Sequence, residues 1–194
     1  MSKERMLAFS DGFLAIIITI MVLELRPPHE ATFEALGETY PAFLSYLLSF
    51  IYLAIYWNNH HHMMVLAKRV NGAILWANMN LLFWLSLVPF ATAWLGDTHG
   101  ASVPTMIYGA VLLMPAIAYF ILQGAIIREE GEDSLLKQAV GRDWKGRLSP
   151  VAYLSAIALA MVDPRISQAI YVAVALAWLA PDRRVERVLP LKAE

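Results

Sequence analysis

The chain has 194 residues, of which 59% are hydrophobic and only 16% are charged, whereas a typical soluble domain carries about 25% charged residues. A soluble fold of this length buries about 70% of its surface. So much apolar sequence therefore excludes a water-soluble enzyme and intrinsic disorder, and favours an integral membrane protein. The net charge of −1 gives no sign of a nucleic-acid partner, and the absence of cysteine excludes disulfides, thiolate metal sites and catalytic thiols.

The sequence predicts an all-α membrane protein with a single domain over residues 1–194. A membrane-spanning helix needs about 20 apolar residues, because the hydrocarbon core is about 30 Å thick and a helix rises about 1.5 Å per residue. Six segments meet or approach this length: 6–25, 40–62, 72–95, 104–127, 148–162 and 166–180. The first is too long for the apolar core of a signal peptide, and Pro27 and Pro28 end it.

The fifth and sixth spans have only 15 residues each and are joined by Asp163-Pro164-Arg165, a turn signal. We interpret them as two short tilted spans with a tight hairpin between them. The alternative is a re-entrant pair that does not fully cross the membrane. The polar segment 128–147 is predicted to be a cytoplasmic linker, partly helical, and not a second domain.

Lys and Arg residues predict the orientation, because cytoplasmic loops are enriched in them. Six spans place the N-terminus, residues 58–71, residues 128–147 and the C-terminal tail on one side. That side holds 13 of the 15 Lys and Arg residues, and only Arg26 and Arg165 lie on the other. The sequence therefore predicts a multi-pass protein of the cell (inner) membrane with both termini in the cytoplasm.

Asp11 is an ionisable residue inside the first span, where charge is costly and usually functional. One interpretation pairs it with a cation on another helix. Arg5 lies six residues earlier on the same helix, which is not the spacing of neighbours on a helix surface. The other interpretation is an interfacial Asp near a helix N-terminus, stabilised by the helix dipole. The spacing leaves both open.

Ile16, Ile20 and Leu23 follow at i, i+4 and i+7 and so share one helix face, with Thr19 beside them. Periodicity alone fits a lipid-facing or packing surface at least as well as a pore.

His60, His61 and His62 invite a metal site, but consecutive helical residues point about 100° apart, whereas a helical metal pair needs i,i+4 spacing. We therefore predict no metal site, and expect one or two of these histidines to hydrogen-bond to neighbouring helices. The sequence contains no nucleophile elbow, P-loop, HExxH motif or glycine-rich dinucleotide fingerprint, so no enzymatic activity is predicted.

Residues 5–11, RMLAFSD, resemble the RxxxFSD signature of the transmembrane protein 175 family of potassium channels. Residues 56–61, YWNNHH, are similar to the end of the family's second span. Residues 80–92, which contain NLL, LVPF and Thr92, are similar to its third span. The resemblance is good over about residues 5–95 and mostly architectural afterwards.

This resemblance implies a homotetramer of six-span chains in which the first helix of each subunit lines a central pore. Hydrophobic residues after FSD form the constriction, which assigns that role to Ile16, Ile20 and Leu23. Thr19 matches a hydroxyl position that contributes to potassium preference. The resemblance also implies a structural polar network between the first three helices, made by Arg5, Ser10, Asp11, Trp57, His60 and Asn80.

The implied function is a passive potassium-selective channel with a hydrophobic gate, whose partners are further copies of the chain, the bilayer and potassium ions, without a cofactor. Ala15 falls where some relatives carry a second hydroxyl residue, so a weakly selective cation channel is an alternative. A second alternative is a proton-coupled secondary transporter that uses Asp11 and His60–His62. A third is an intramembrane enzyme or a haem- or metal-binding protein built on the same histidines.

Overall fold

The computed structural model describes residues 2–141 and 144–179, and every regular element in these ranges is helical. The helices are α1 (Lys3–Leu23), α2 (Phe33–Glu38), α3 (Tyr40–Leu66), α4 (Gly72–Leu85), α5 (Val88–Asp97), α6 (Ser102–Glu130), α7 (Leu135–Val140), α8 (Trp144–Leu159) and α9 (Pro164–Leu179). A 3-10 turn (Gly131–Asp133) connects α6 to the short segment before α7.

Four segments in the described ranges are long and apolar enough to cross a membrane: α1, α3, the pair α4–α5 taken together, and α6. The helices α8 and α9 have 16 residues each, or about 24 Å of length, which is less than the hydrocarbon core of about 30 Å. The chain is therefore a membrane protein with at least four helices of spanning length.

Several helix ends differ from the predicted span limits, because apolar content marks the membrane core and not the helix end. The helix α3 continues through the histidines to Leu66, four residues past the predicted limit, and α8 begins at Trp144, four residues before it. The sequence did not predict α2. The last residue of the sixth predicted span, the C-terminal tail and Arg142 lie outside the described residues.

The third predicted span is divided between two helices, with α4 ending at Leu85 and α5 beginning at Val88. Pro89 lies in the first turn of α5. Proline has no backbone N–H and its ring clashes with the carbonyl four residues earlier, so it fits the start of a helix and not its interior. The sequence suggested a kink or a loosened ladder here, and the structure shows a loosened ladder: Ser86 and Leu87 keep right-handed helical dihedral angles, and the Leu87 N–H donates to the Trp84 carbonyl, three residues back, at 3.3 Å.

The hairpin between α8 and α9 follows the turn signal in the sequence. Pro164 is the first residue of α9, and the Arg165 backbone N–H donates to Asp163 Oδ1 at 2.9 Å, as expected for a helix N-terminus. The Ser167 hydroxyl donates to the Ala156 carbonyl at 2.6 Å. The Ser167 bond therefore joins α9 to α8.

The helix α6 contacts α4, α5, α8 and α9, while α1 packs on α3, α4 and α5. Buried hydroxyl groups join three of these helices. Ser49 lies 2.7 Å from Thr92 and 2.9 Å from Tyr108, and Thr92 donates to the Val88 carbonyl at 2.7 Å. Ser49 therefore donates to Thr92 and accepts from Tyr108, which joins α3 to α5 and α6.

Gly109 and Gly124, both on α6, provide a matched test of this packing. A Cβ at Gly109 would overlap the Tyr171 hydroxyl of α9 and the Ile157 side chain of α8, whereas one at Gly124 would meet no atom within 4 Å. We expect Gly109→Ala to lower the free energy of unfolding by about 1–3 kcal/mol through overpacking. Gly124→Ala should leave it unchanged or raise it, because alanine favours the helix. Thermal unfolding in detergent measures both, and equal stability of the two variants would contradict the close contact.

Candidate functional site

The first helix has two distinct faces. One face packs against the rest of the chain, and its buried residues are Met6, Ser10, Leu14, Ile17 and Met21. They recur at intervals of three or four residues, as expected for one stripe of a helix. This stripe fixes the orientation of α1 and turns the opposite face outward.

The three residues of the predicted constriction and the neighbouring Thr19 lie on the outward side of α1. Ile16 is 59% exposed, Ile20 43% and Leu23 80%, and Thr19 is also exposed. The Thr19 hydroxyl donates to the Ile16 carbonyl at 2.8 Å, which leaves its oxygen available as an acceptor. A large apolar surface is thus uncovered on a helix whose other side is well packed, so lipid or further protein must cover part of it.

Behind this face, a buried hydrogen-bonded group joins α1, α3 and α4. Asn78 Nδ2 donates to Ser10 Oγ at 3.0 Å, and Ser10 Oγ donates to the Met6 carbonyl at 2.9 Å. His60 Nε2 lies 2.8 Å from Asn78 Oδ1. Because an amide oxygen can only accept, Nε2 carries the proton of this bond. His60 Nδ1 is buried without a hydrogen-bond partner among the described residues.

Asp11 is held by a second contact between α1 and α3. The Trp57 indole Nε1–H donates to Asp11 Oδ1 at 3.0 Å. Of the two interpretations that the spacing left open, a cation partner finds no support among the described residues, where no ion pair joins Asp11 to Arg5 or to any other cation. Asp11 is only half-buried. Its carboxylate can therefore be stabilised by a neutral hydrogen-bond donor together with partial access to the surface. The Arg5 side chain is exposed and makes no hydrogen bond among the described residues, while its backbone N–H donates to Ser2 Oγ at 3.3 Å.

The structure places Asn78, and not Asn80, in the buried group. Two residues along a helix are about 200° apart, so only one of the two asparagines can face α1 and α3. Asn78 is buried, whereas Asn80 is half-buried on the side of α4 that carries the exposed Trp76 and Phe83. Ser10, Asp11, Trp57 and His60 thus meet at the α1–α3–α4 contact, while Arg5 and Asn80 remain apart from these bonds.

Sequence reasoning missed the contacts that join the N-terminus of α1 to the end of α3, and the α3–α4 connection to the end of α6. Lys3 Nζ donates to the Ala67 carbonyl at 2.7 Å and to the Val65 carbonyl at 3.1 Å. A cation at a helix C-terminus is favourable because it opposes the helix dipole. Asn71 Nδ2 donates to Glu129 Oε2 at 2.5 Å, which ties the α3–α4 connection to the end of α6. Lys3 lies just before the signature at residues 5–11, and its partners are backbone carbonyls more than 60 residues away, which no local pattern indicates.

The two remaining histidines of the cluster, His61 and His62, lie side by side near the end of α3. His61 is exposed and His62 half-buried, with ring centroids 6.1 Å apart. No group of three or more His, Cys, Asp or Glu side chains in the described ranges is arranged to hold a metal ion. The polar side chains described above therefore stabilise the packing of α1 against α3 and α4, behind the apolar outward face of α1.

Comparison with known proteins shows the family and the fold to which this chain is similar. The family model of the endosomal/lysosomal potassium channel TMEM175 matches residues 5–89. A potassium channel of Chryseobacterium sp. (strain P1-3) is 53% identical over 97% of this chain and 98% of its own length. A potassium channel of Chamaesiphon minutus is 33% identical over 84% of this chain and 86% of its own length.

A crystal structure of a lysosomal potassium-selective channel TMEM175 homologue from Chamaesiphon minutus superposes with a TM-score of 0.78 and 29% identity, covering 97% of this chain and 98% of that one. The family and these relatives are ion channels and not enzymes. From the identity and coverage of the Chryseobacterium relative, together with the signature at residues 5–11, we conclude that the chain belongs to the TMEM175 family.

Proposed function

We propose that four copies of the chain form a channel that conducts potassium passively through a central pore lined by α1. The observation that carries this proposal is the exposed apolar face of Ile16, Ile20 and Leu23, on a helix whose opposite face is held by buried contacts. Relatives that match nearly the whole chain are named potassium channels. These names support the proposal that this chain also conducts potassium.

The mechanism follows from the side chains on this face. A single chain supplies one such helix, so a closed ring of pore helices requires a symmetric oligomer. In a tetramer, each of the three positions would contribute a ring of four aliphatic side chains. Such a ring opposes wetting and can gate the pore. Ions that cross it must shed part of their hydration shell, which potassium does more readily than sodium, and the Thr19 oxygens provide acceptors nearby.

The proposal includes six membrane crossings and two cytoplasmic termini in the cell membrane. Its support is the charge distribution, with 13 of 15 Lys and Arg residues on one side. Short helices such as α8 and α9 can cross where the bilayer thins locally. In this arrangement the buried group of Ser10, His60 and Asn78, and the pair Asp11–Trp57, hold the pore helix in place.

Ion flux from liposomes that contain the purified chain tests this function. Gradients of potassium, sodium and caesium are compared, and internal pH is recorded at the same time. We expect potassium flux that needs no proton gradient, exceeds sodium flux and does not saturate as carrier transport does. Saturable flux that moves protons and is unaltered by changes at Ile16 and Ile20 would favour a proton-coupled transporter instead. Absence of any cation flux would refute the channel.

A further inference from the structure

Glu24 lies at the end of the face that forms the proposed constriction. It follows Leu23 directly and stands one helical turn beyond Ile20. Glu24 is exposed, and it lines a groove between α1 and α5 together with Ile16, Ile20 and Phe90. In the proposed orientation this end of α1 is the outer end of the pore.

The Glu24 carboxylate lies at the end of α1 where the helix dipole disfavours a negative charge. Glu24 is the C-cap residue of α1, and no basic residue lies in the last turn. A negative charge at a helix C-terminus is unfavourable by about 0.3–1 kcal/mol at exposed positions. Arg26 lies only two residues further along, but no ion pair between described residues joins it to Glu24. A residue that breaks a local rule without compensation is a candidate for function.

We propose that the four Glu24 carboxylates surround the outer mouth of the pore and raise the local concentration of entering cations, an inference that rests on the proposed function. Four negative charges around a low-dielectric opening create a field that attracts cations and repels anions. The constriction itself would then discriminate between cations, while Glu24 would set how often a cation arrives.

Such a field has a defined dependence on salt. The Debye length is about 30 Å at 0.01 M salt and about 3 Å at 1 M. The carboxylates therefore act across the whole pore mouth in dilute solution and are screened in concentrated solution. A purely structural role for Glu24 would change conductance by the same factor at both salt concentrations.

The test compares inward single-channel conductance of the wild type and Glu24→Gln in planar bilayers at about 0.01 M and 1 M KCl. We expect Glu24→Gln to lower conductance on the order of two- to tenfold in dilute salt and by little in 1 M salt. The potassium-to-sodium preference should stay unchanged. Glu24→Asp, which keeps the charge, should restore most of the low-salt conductance.

Glu34→Gln is the matched control, because Glu34 is also exposed on the proposed outer side but belongs to α2. We expect a smaller effect from it. Equal low-salt conductance of Glu24→Gln and wild type, an equal loss at both salt concentrations, or an equal effect of Glu34→Gln would overturn the role of Glu24 while leaving the channel intact. A wild-type chain that carries no potassium current at 1 M KCl would overturn the proposed function itself, and this inference with it.

Discussion

Replacing Ile16 or Ile20 with asparagine should raise potassium flux through the reconstituted chain and reduce its preference for potassium over sodium. Both side chains lie on the outward face of α1. In a tetramer the change would replace a ring of methyl groups with a ring of amides, which water wets readily. We expect an increase of about tenfold, which corresponds to about 1.4 kcal/mol less barrier. Isotope flux or planar-bilayer recording measures the change.

Val22→Asn is the control for this prediction. Val22 is also exposed, but it lies about 120° around the helix from Ile16. It should leave flux and ion preference unchanged. Unaltered conductance and preference in folded Ile16→Asn and Ile20→Asn channels, or the same gain in Val22→Asn, would refute the assignment of the constriction.

Asn78→Leu should prevent assembly or greatly destabilise the protein, whereas Asn80→Leu, two residues along the same helix, should be tolerated. Leucine at position 78 removes the acceptor of the His60 Nε2 proton and the donor to Ser10. The buried His60 Nε2–H left without an acceptor costs about 1–3 kcal/mol, and the lost hydrogen bond to Ser10 adds about 1 kcal/mol. The change therefore amounts to about 2–4 kcal/mol. Asn80 makes no comparable bond among the described residues.

Size-exclusion chromatography and thermal unfolding in detergent measure both asparagine variants. Equal behaviour of the two would contradict the placement of Asn78 in the buried group. Asp11→Leu belongs to the same experiment, because it removes the acceptor of the Trp57 indole N–H, and we expect loss of assembly or expression before any change in ion preference. Arg5→Ala should be tolerated, because the Arg5 side chain makes no hydrogen bond among the described residues. Stable Asp11→Leu tetramers with altered preference would contradict a structural role for Asp11.

The outward face of α1 follows from spacing and the family signature together. Apolar content was sufficient to locate the long helices α1, α3 and α6, because a bilayer demands about 20 apolar residues. The i, i+4, i+7 spacing grouped Ile16, Ile20 and Leu23, but the same spacing describes a lipid-facing stripe. The signature at residues 5–11 was needed to interpret this stripe as a pore, and the structure shows it exposed in one chain.

The partners of the polar residues could not be predicted in the same way. Asn78 and Asn80 lie in the same apolar helix, and only the rotation of α4 against α1 and α3 selects Asn78. Spacing left open whether Asp11 pairs with a cation or lies at the interface, and the structure shows a half-buried Asp11 that accepts from the indole of Trp57. Lys3 finds its acceptors more than 60 residues away, at the end of α3. These choices depend on helix rotation and long-range packing, which local spacing does not encode.

Accessibility of single cysteines tests most directly whether α1 lines the pore. The chain has no native cysteine, so Ile20→Cys, Leu23→Cys and Ile17→Cys each provide one defined thiol. Ile17 is only 3% exposed and faces its own subunit. A cationic, water-soluble thiol reagent should change the potassium current of Ile20→Cys and Leu23→Cys and leave Ile17→Cys unaffected. Modification of Ile17→Cys alone, or of none of the three in conducting channels, would contradict a pore lined by the face of Ile16, Ile20 and Leu23.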